Sequence, residues 1–347
     1  MTDQTQNTAA ARPADLTYIS VLRTIAMIVV VFFHTYGYMY AQAHFPQSVE
    51  NYHQLYFIPN QCVFINIAMP LFTAISGYLF AYLYSLGKYR EFWPFLKKKA
   101  IRLLLPFFVF GTLMMLTTGV PFRPWMLYTG SFSHLWYLSA LFWCFPIGWL
   151  ILRYCRNNSV YLVAIFAVLL LSNGFSEYVP CVLGIQYILR YYEWFLLGQI
   201  LALQREPIGA FMDKWHLAIP LLLPFAILSW IFPDPYEPCH FHTRLMVSLF
   251  LVGLFVLADK EQNIAEQNIV IKSAVWFSKY TFGIYIFHNW IGPYMISKTA
   301  QRLFHLAPLA SEHVILFPFV LSLMILGVSF VLSYALLKTK IGKMLIG

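Results

Sequence analysis

Long apolar runs alternate with short polar segments along almost the whole chain. Because a helix needs about 20 apolar residues to cross the hydrocarbon core of a membrane, we interpret each run as a transmembrane helix. The pattern predicts an all-α, polytopic membrane protein with about ten spans, and the weaker runs allow eight to eleven. The predicted spans cover residues 18–40, 62–84, 100–119, 134–152, 159–174, 179–203, 215–232, 241–258, 275–297 and 313–336.

A polar leader, residues 1–17, precedes the first predicted span and is rich in Thr, Gln, Asn and Ala. It lacks a basic region followed by a short apolar core and a cleavage site, so we interpret the first span as an uncleaved anchor. Residues 18–347 are predicted to form a single transmembrane domain. The composition agrees, because 11% of the residues are charged, against about 25% in soluble domains.

Basic residues predict the orientation of the chain. With the N-terminus in the cytoplasm, the 23 Lys and Arg residues divide into 15 in cytoplasmic segments, 3 in outer segments and 5 within spans. Since cytoplasmic loops are enriched in Lys and Arg, both termini are predicted to be cytoplasmic. This distribution also accounts for the net charge of +9, so we expect no nucleic-acid partner. The oligomeric state is not readable from the sequence.

Two ionisable side chains interrupt the first span, YISVLRTIAMIVVVFFHTYGYMY, namely Arg23 and His34. Eleven residues at 100° each place them on one helical stripe, roughly 16 Å apart along the axis. A cation within a membrane usually faces a bundle interior or a wet cavity, which makes it a functional candidate. No carboxylate or second histidine stands four residues after His34, so no metal site is predicted.

Two further motifs lie near span ends. Lys99 and Arg102 stand three residues apart at the cytoplasmic entry to the third span. They are either snorkelling anchors or a site for the phosphates of a cytoplasmic cofactor. His134 and Trp136 begin the fourth span on its outer side. The Trp is typical of an interfacial aromatic belt, but anchoring does not require the His.

Later spans carry ionisable residues as well. Arg190 and Glu193 lie near mid-depth of the sixth span, at a spacing that predicts an ion pair of either structural or catalytic use. In the ninth span, Thr281, Tyr285 and His288 share one stripe. That stripe either packs against neighbouring helices or lines a cavity.

Taken together, these segments resemble the acyltransferase-3 family of integral membrane acyltransferases. The defining feature is Arg-x10-His in the first span, here Arg23 and His34. The chain departs from the family at Ser20, where an Asp often precedes the Arg by three residues, so an expected charge partner of Arg23 is missing. Further matches follow in the family's order: MPLFTAISGYLF, KKKAIRLLLPF, HLWYLSALF, YYEWFLLGQIL and KYTFGIYIFH.

The resemblance implies transfer of a short acyl group, commonly acetyl and sometimes succinyl, from acyl-CoA to a carbohydrate hydroxyl. It implies acetyl-CoA as co-substrate without a metal, a cell-envelope or extracellular carbohydrate or glycolipid as acceptor, and a bacterial inner-membrane location among membrane lipids. It also implies that His34 and Arg23 are the catalytic pair. Arg23, Lys99 and Arg102 are implied to bind the cofactor.

The outer part of the site is our own prediction. His34 is expected to act as the base for the acceptor hydroxyl. The rival interpretation is a secondary transporter or flippase of a polar or lipid-linked sugar that uses the same charges as a proton or substrate pathway. That alternative predicts substrate movement without consumption of acyl-CoA. Residues predicted to contact the substrate are His134, Trp136, Glu193, Tyr285 and His288.

Overall fold

A computed structural model of the chain describes residues 16–41, 66–117, 123–172, 175, 178–224, 241–260, 268–295, 304, 306, 312–313 and 316–347. Within these ranges the protein is a bundle of α-helices with short 3-10 turns and no strand, as the sequence predicts. Most of the predicted leader and parts of several connections lie outside the described residues. The helices are α1 (Thr17–Ala41), α2 (Asn66–Ser85), α3 (Phe92–Thr117), α4 (Pro124–Thr129), α5 (Trp136–Tyr154), α6 (Ser159–Ser172), α7 (Ile188–Leu203), α8 (Arg205–Lys214), α9 (Phe241–Lys260), α10 (Ile269–Ser278), α11 (Thr281–Met295), α12 (Leu316–Leu337) and α13 (Lys340–Ile346).

Six helical segments of the described chain are long and apolar enough to cross a membrane. They coincide with six of the ten predicted spans. The predicted spans 159–174 and 179–203 correspond to the shorter helices α6 and α7. Residues 225–232 of the seventh predicted span lie outside the described residues. The six segments are Thr17–Gly37, Ile67–Ser85, Phe92–Thr117, Pro124–Tyr154, Phe241–Lys260 and Leu316–Leu337.

The predicted ninth span, 275–297, is not one continuous helix. A turn at residues 279–280 separates α10 from α11. The hydroxyl of Thr281 donates to the Ser278 carbonyl at 2.8 Å, and that of Ser333 on α12 donates to the Tyr280 carbonyl at 3.1 Å. The Tyr280 carbonyl also accepts from the Ile284 backbone N–H at 2.9 Å. Hydroxyl groups that bind carbonyls at the break help an apolar bundle to tolerate the interruption.

Helix α1 packs against five other helices. It contacts α2, α9, α10, α11 and α12. Apolar side chains on its inner side, among them Leu22, Met27 and Val31, are at most 2% exposed. Because Arg23 and His34 both belong to this one unbroken helix, the packing of its neighbours determines what surrounds them.

Helices α2 and α7 make the most extensive contact of any two described helices. Two glycines make this close crossing possible. A Cβ at Gly77 would stand 1.9 Å from the Phe195 carbonyl oxygen, and a Cβ at Gly198 would stand 1.9 Å from that of Ala74. The two backbones therefore touch where side chains are absent. Such a contact between small residues is typical of membrane helices.

Replacing either glycine with alanine is expected to destabilise the protein. Because the obstacle in each case is backbone, the helices must separate, and overpacking of this kind costs about 1–3 kcal/mol, with the upper end expected here. Thermal unfolding in detergent of Gly77→Ala and Gly198→Ala measures the loss. Gly327→Ala is the matched control, since a Cβ on this α12 glycine meets nothing within 4 Å, and the helix propensity of Ala favours it by up to about 1 kcal/mol. Equal melting temperatures for all three variants would contradict the proposed crossing.

Two ion pairs join the short helix α8 to the end of α9. The Arg205 guanidinium donates from Nε and Nη2 to the Asp259 carboxylate at 2.9 and 2.6 Å. This bidentate hydrogen bond raises the pKa of Arg205 above its ordinary value. Lys260 pairs with Asp213 in the same way across the two helices. Both pairs lie in a segment that the sequence places on the cytoplasmic side.

Candidate functional site

A cavity of about 270 Å³ opens between α1, α2, α3, α5 and α11, and Arg23 lines it. Two more cations, Lys99 and Arg102, join Arg23 from α3. The described residues of the lining include no Asp or Glu; the remainder are apolar or carry hydroxyls, such as Tyr137 and Tyr285. Three positive charges without a carboxylate make this a cavity suited to an anionic ligand.

Aromatic rings, rather than carboxylates, surround the α3 cations. The Lys99 ammonium lies 3.7 Å from the centre of the Phe145 ring and 5.3 Å from that of Tyr89. The Arg102 guanidinium lies 4.9 Å from the centre of the Phe282 ring. Cation–π contacts of this kind offset part of the desolvation of a cation without neutralising it. The charges of Arg23 and Lys99 are each repelled by that of Arg102, so a bound polyanion would relieve this repulsion.

Three histidines meet at one end of the site. His34 comes from α1, His134 from the 3-10 turn before α5, and His288 from α11. The ring centre of His288 lies 4.9 Å from that of His34 and 5.0 Å from that of His134. His134 is 4% exposed and His288 is 0% exposed. Residues separated by more than 250 positions in the chain therefore form one buried cluster around the His of the first span.

Tyr285 connects the histidine cluster with the cation-lined cavity. It lines the cavity beside Arg23, and its hydroxyl donates to the backbone carbonyl of His134. Its ring centre lies 5.3 Å from that of His134 and 5.9 Å from that of His288. Thr281, one turn earlier on α11, lines the same cavity. The stripe that the sequence identified on the ninth span thus runs from the cavity to the histidines.

The hydrogen bonds of His134 hold it against α11. Its Nε2 lies 3.1 Å from the Ile286 carbonyl oxygen, and its Nδ1 lies 3.4 Å from the Ser133 hydroxyl. The amide of Asn289 donates to that same hydroxyl at 3.1 Å. Within the described chain no group of three His, Cys, Asp or Glu side chains has the arrangement of a metal site. One ring nitrogen of each of these histidines faces a backbone carbonyl oxygen.

Glu193 has a different partner from the one predicted. The sequence suggested Arg190, three residues earlier, but Arg190 is exposed. Arg244 on α9 donates from Nε to the Glu193 carboxylate at 2.7 Å and makes a second contact from Nη2. Both residues are at most 1% exposed. The spacing allowed the predicted pair, but the packing of α9 against α7 gives the Glu193 carboxylate a buried partner from another helix, whereas Arg190 is exposed.

Arg244 is the functional candidate that sequence reasoning did not single out. The sequence did contain a signal for it, because this arginine lies within the apolar segment 241–258. A charged residue inside a membrane span is by default a candidate for a functional role. Glu193, predicted to contact substrate, lies with Arg244 outside the lining of the Arg23 cavity. The pair joins α7 to α9, so its position in the structure favours a stabilising role.

Trp136 lies beside the site rather than within it. Its ring centre is 4.6 Å from that of Tyr187 and 5.0 Å from that of Tyr191. The Tyr137 ring, which lines the cavity, lies 5.9 Å from it. Trp136 is half-buried, so a ligand that extends past Tyr137 could reach this aromatic group.

The apolar helices and the cavity define an all-helical membrane protein with an interior cavity lined by three cationic side chains. A family model of the acyltransferase domain matches residues 16–337, nearly the whole chain and every site residue named above. The chain therefore belongs to the acyltransferase-3 family, as the sequence motifs indicated, and is a membrane acyltransferase of a family that typically acetylates carbohydrates. No curated protein and no solved structure shows a significant match to it.

Proposed function

We propose that this protein transfers a short acyl group, acetyl in the first instance, from cytoplasmic acyl-CoA to a hydroxyl of a cell-envelope or extracellular carbohydrate. The observation that carries the proposal is the carboxylate-free cavity with Arg23, Lys99 and Arg102 in its lining. A CoA thioester carries several phosphate charges, and paired cations at a membrane entrance suit such a polyanion. The proposal places the protein in a bacterial inner membrane with both termini in the cytoplasm.

The size of the cavity suggests how the co-substrate would sit. A volume of about 270 Å³ is below the roughly 300–1,000 Å³ of pockets that enclose a whole drug-sized ligand. We infer that the nucleotide part stays at the cytoplasmic entrance beside Lys99 and Arg102. Only the narrow pantetheine arm of the co-substrate, which carries the acyl group, would then pass Arg23 towards Tyr285 and the histidines.

The chemistry requires a base and a stabilised oxyanion. His34 takes the proton of the acceptor hydroxyl, and the oxygen forms an ester bond to the acyl carbon while the carbon–sulfur bond breaks. The proton then passes to the departing sulfur, so CoA leaves as the thiol. Arg23 is always protonated, so it holds phosphate or stabilises negative charge on the carbonyl oxygen instead of acting as a base.

The first test of this proposal is binding and turnover of acetyl-CoA and succinyl-CoA by the purified protein. We expect Lys99→Gln and Arg102→Gln each to weaken acetyl-CoA binding by about 10-fold to 100-fold, because each removes a charge-assisted contact worth about 1.5–3 kcal/mol. Titration of the detergent-purified protein with acetyl-CoA measures the dissociation constant.

Two controls separate phosphate recognition from a general effect. Lys97→Gln changes an exposed lysine of the same basic segment and is expected to weaken binding by less than threefold. Acetyl-pantetheine lacks the phosphates, so its affinity should be unchanged in all three variants. If the folded wild-type protein neither binds nor consumes acyl-CoA, the proposal is wrong and transport of a sugar substrate becomes the better explanation.

A further inference from the structure

His34 and His288 share a direct contact that constrains their protons. The Nε2 of His288 lies 3.2 Å from the Nδ1 of His34. That same Nδ1 lies 3.0 Å from the carbonyl oxygen of Val30, one turn earlier on α1. On the other ring, Nδ1 of His288 lies 3.1 Å from the Ile284 carbonyl oxygen. Each Nδ1 therefore faces a carbonyl oxygen of its own helix.

A carbonyl oxygen can only accept, and a neutral imidazole has one N–H and one bare nitrogen. Both Nδ1 atoms must then carry the proton. In neutral His288 this leaves Nε2 as an acceptor, so the Nδ1–H of His34 is shared between the Val30 carbonyl and His288. The alternative tautomer of His34 would place its bare Nδ1 against two other acceptors, which is unfavourable. By elimination, the lone pair of His34 is on Nε2.

We propose that His288 is a positioning residue that, together with the Val30 carbonyl, keeps His34 in the Nδ1–H tautomer and so presents Nε2 as the base. This inference rests on the proposed acyl transfer, in which His34 takes the hydroxyl proton. When Nε2 gains that proton, the Nδ1–H of the resulting imidazolium donates a charge-assisted hydrogen bond to His288, which is stronger than the neutral one. His288 thus has the role of the carboxylate in a hydrolase triad, which orients the catalytic His and stabilises its protonated form.

The surroundings of His288 fit this role better than the predicted contact with substrate. Its side chain is 0% exposed and does not line the Arg23 cavity. The 3-10 turn Ser133–Leu135 is fastened to α11 on both sides of His288, through Tyr285, Ile286 and Asn289. Since these bonds fix the backbone and the His134 ring packs 5.0 Å away, the ring of His288 has little room to turn.

A matched pair of substitutions tests the hydrogen bond itself. His288→Gln offers an amide oxygen at the position of Nε2, whereas His288→Met fills similar space without a strong acceptor; both lose the bond to the Ile284 carbonyl. We expect His288→Met to lower kcat by about 100-fold or more, since loss of the correct tautomer costs up to about 10⁴-fold in hydrolase triads. His288→Gln should remain within about tenfold of wild type. Because the phosphate contacts are untouched, both variants should bind acetyl-CoA as wild type does.

Nitrogen NMR of protein labelled at histidine measures which ring nitrogen of His34 carries the proton, a property that loss of packing alone would not change. The signal that disappears in His34→Ala identifies His34, and in wild type and His288→Gln it should show the Nδ1–H tautomer. In His288→Met the Nδ1–H of His34 keeps the Val30 carbonyl as an acceptor but loses His288, so the fraction of the other tautomer should rise above that of wild type. An Nε2–H signature for His34 in wild type, or an unchanged kcat in His288→Met, would overturn the positioning role while leaving the acyltransferase proposal intact.

Failure of the acyltransferase proposal has a different signature. In that case wild type would not consume acyl-CoA, although the His34 signal would still depend on residue 288. The contact between the rings of His34 and His288 would then be a structural contact without a role in acyl transfer.

Discussion

His34→Ala is expected to lower acyl transfer by about 10³-fold while acetyl-CoA binding is retained. General base catalysis contributes about 10² to 10⁴ to a rate, and no other described side chain of α1 suits the task. The cavity cations that would hold the phosphates belong to other positions, so their affinity should not change. Single-turnover assays with labelled acyl-CoA and a carbohydrate acceptor measure the transfer step separately from binding.

The matched control is His313→Ala, which removes an exposed histidine near the start of α12 and should leave transfer unchanged. Folding of both variants is checked by size exclusion and thermal unfolding in the same detergent. Near-normal transfer by folded His34→Ala protein would refute the mechanism. Loss of acetyl-CoA binding in His34→Ala would show that His34 contributes to binding of the co-substrate, and its assignment as the base would be withdrawn.

The second large effect concerns the buried pair of Glu193 and Arg244. Glu193→Leu is expected to destabilise the protein by about 3–5 kcal/mol, because it leaves the guanidinium of Arg244 without its carboxylate in the bundle interior. Arg244→Met should cost a similar amount by leaving the carboxylate alone. The double variant Glu193→Leu/Arg244→Met should recover most of the loss, since replacing a whole buried pair with apolar residues is often near neutral. Unfolding of all three in detergent gives the coupling energy.

Arg190→Gln serves as the control for this pair. Arg190 is the partner that the chain sequence suggests for Glu193, but it is exposed, and exposed ion pairs are worth about 0–1 kcal/mol. A loss above that range in Arg190→Gln, together with a small loss in Arg244→Met, would restore the sequence-based pairing. Additive effects in the double variant would show that Glu193 and Arg244 do not interact.

The fold class and most helices could be predicted from the sequence because the membrane imposes a local rule. Each backbone group must be paired within its own segment, so a sufficiently long apolar run becomes a helix whatever packs beside it. The predicted spans 18–40, 100–119 and 313–336 all contain helices of this kind. The same rule placed Arg23 and His34 on one helix and the Tyr285 stripe on another. Prediction was weakest where polar side chains replace the helical hydrogen bonds, as at residues 279–280.

The functional residues were predicted from a second local argument. A charged side chain within the hydrocarbon core is energetically unfavourable, so its presence there indicates a function. This argument found Arg23, Lys99 and Arg102 individually, and the cavity joins them. Applied to α9, the same reasoning would have found Arg244. The number of spans and the orientation of the termini remain predictions from the apolar runs and the basic residues.

The sequence by itself determined which residues share a helix and a face, since the 3.6-residue turn is a property of the chain alone. Only the tertiary structure decided which faces meet. It paired Glu193 with Arg244, 51 residues away, and brought His288 to His34 across 254 residues. It also placed the ring of Phe145 against Lys99. Such contacts depend on how whole helices cross, as α2 and α7 do at Gly77 and Gly198, and no spacing within one helix encodes the position of another.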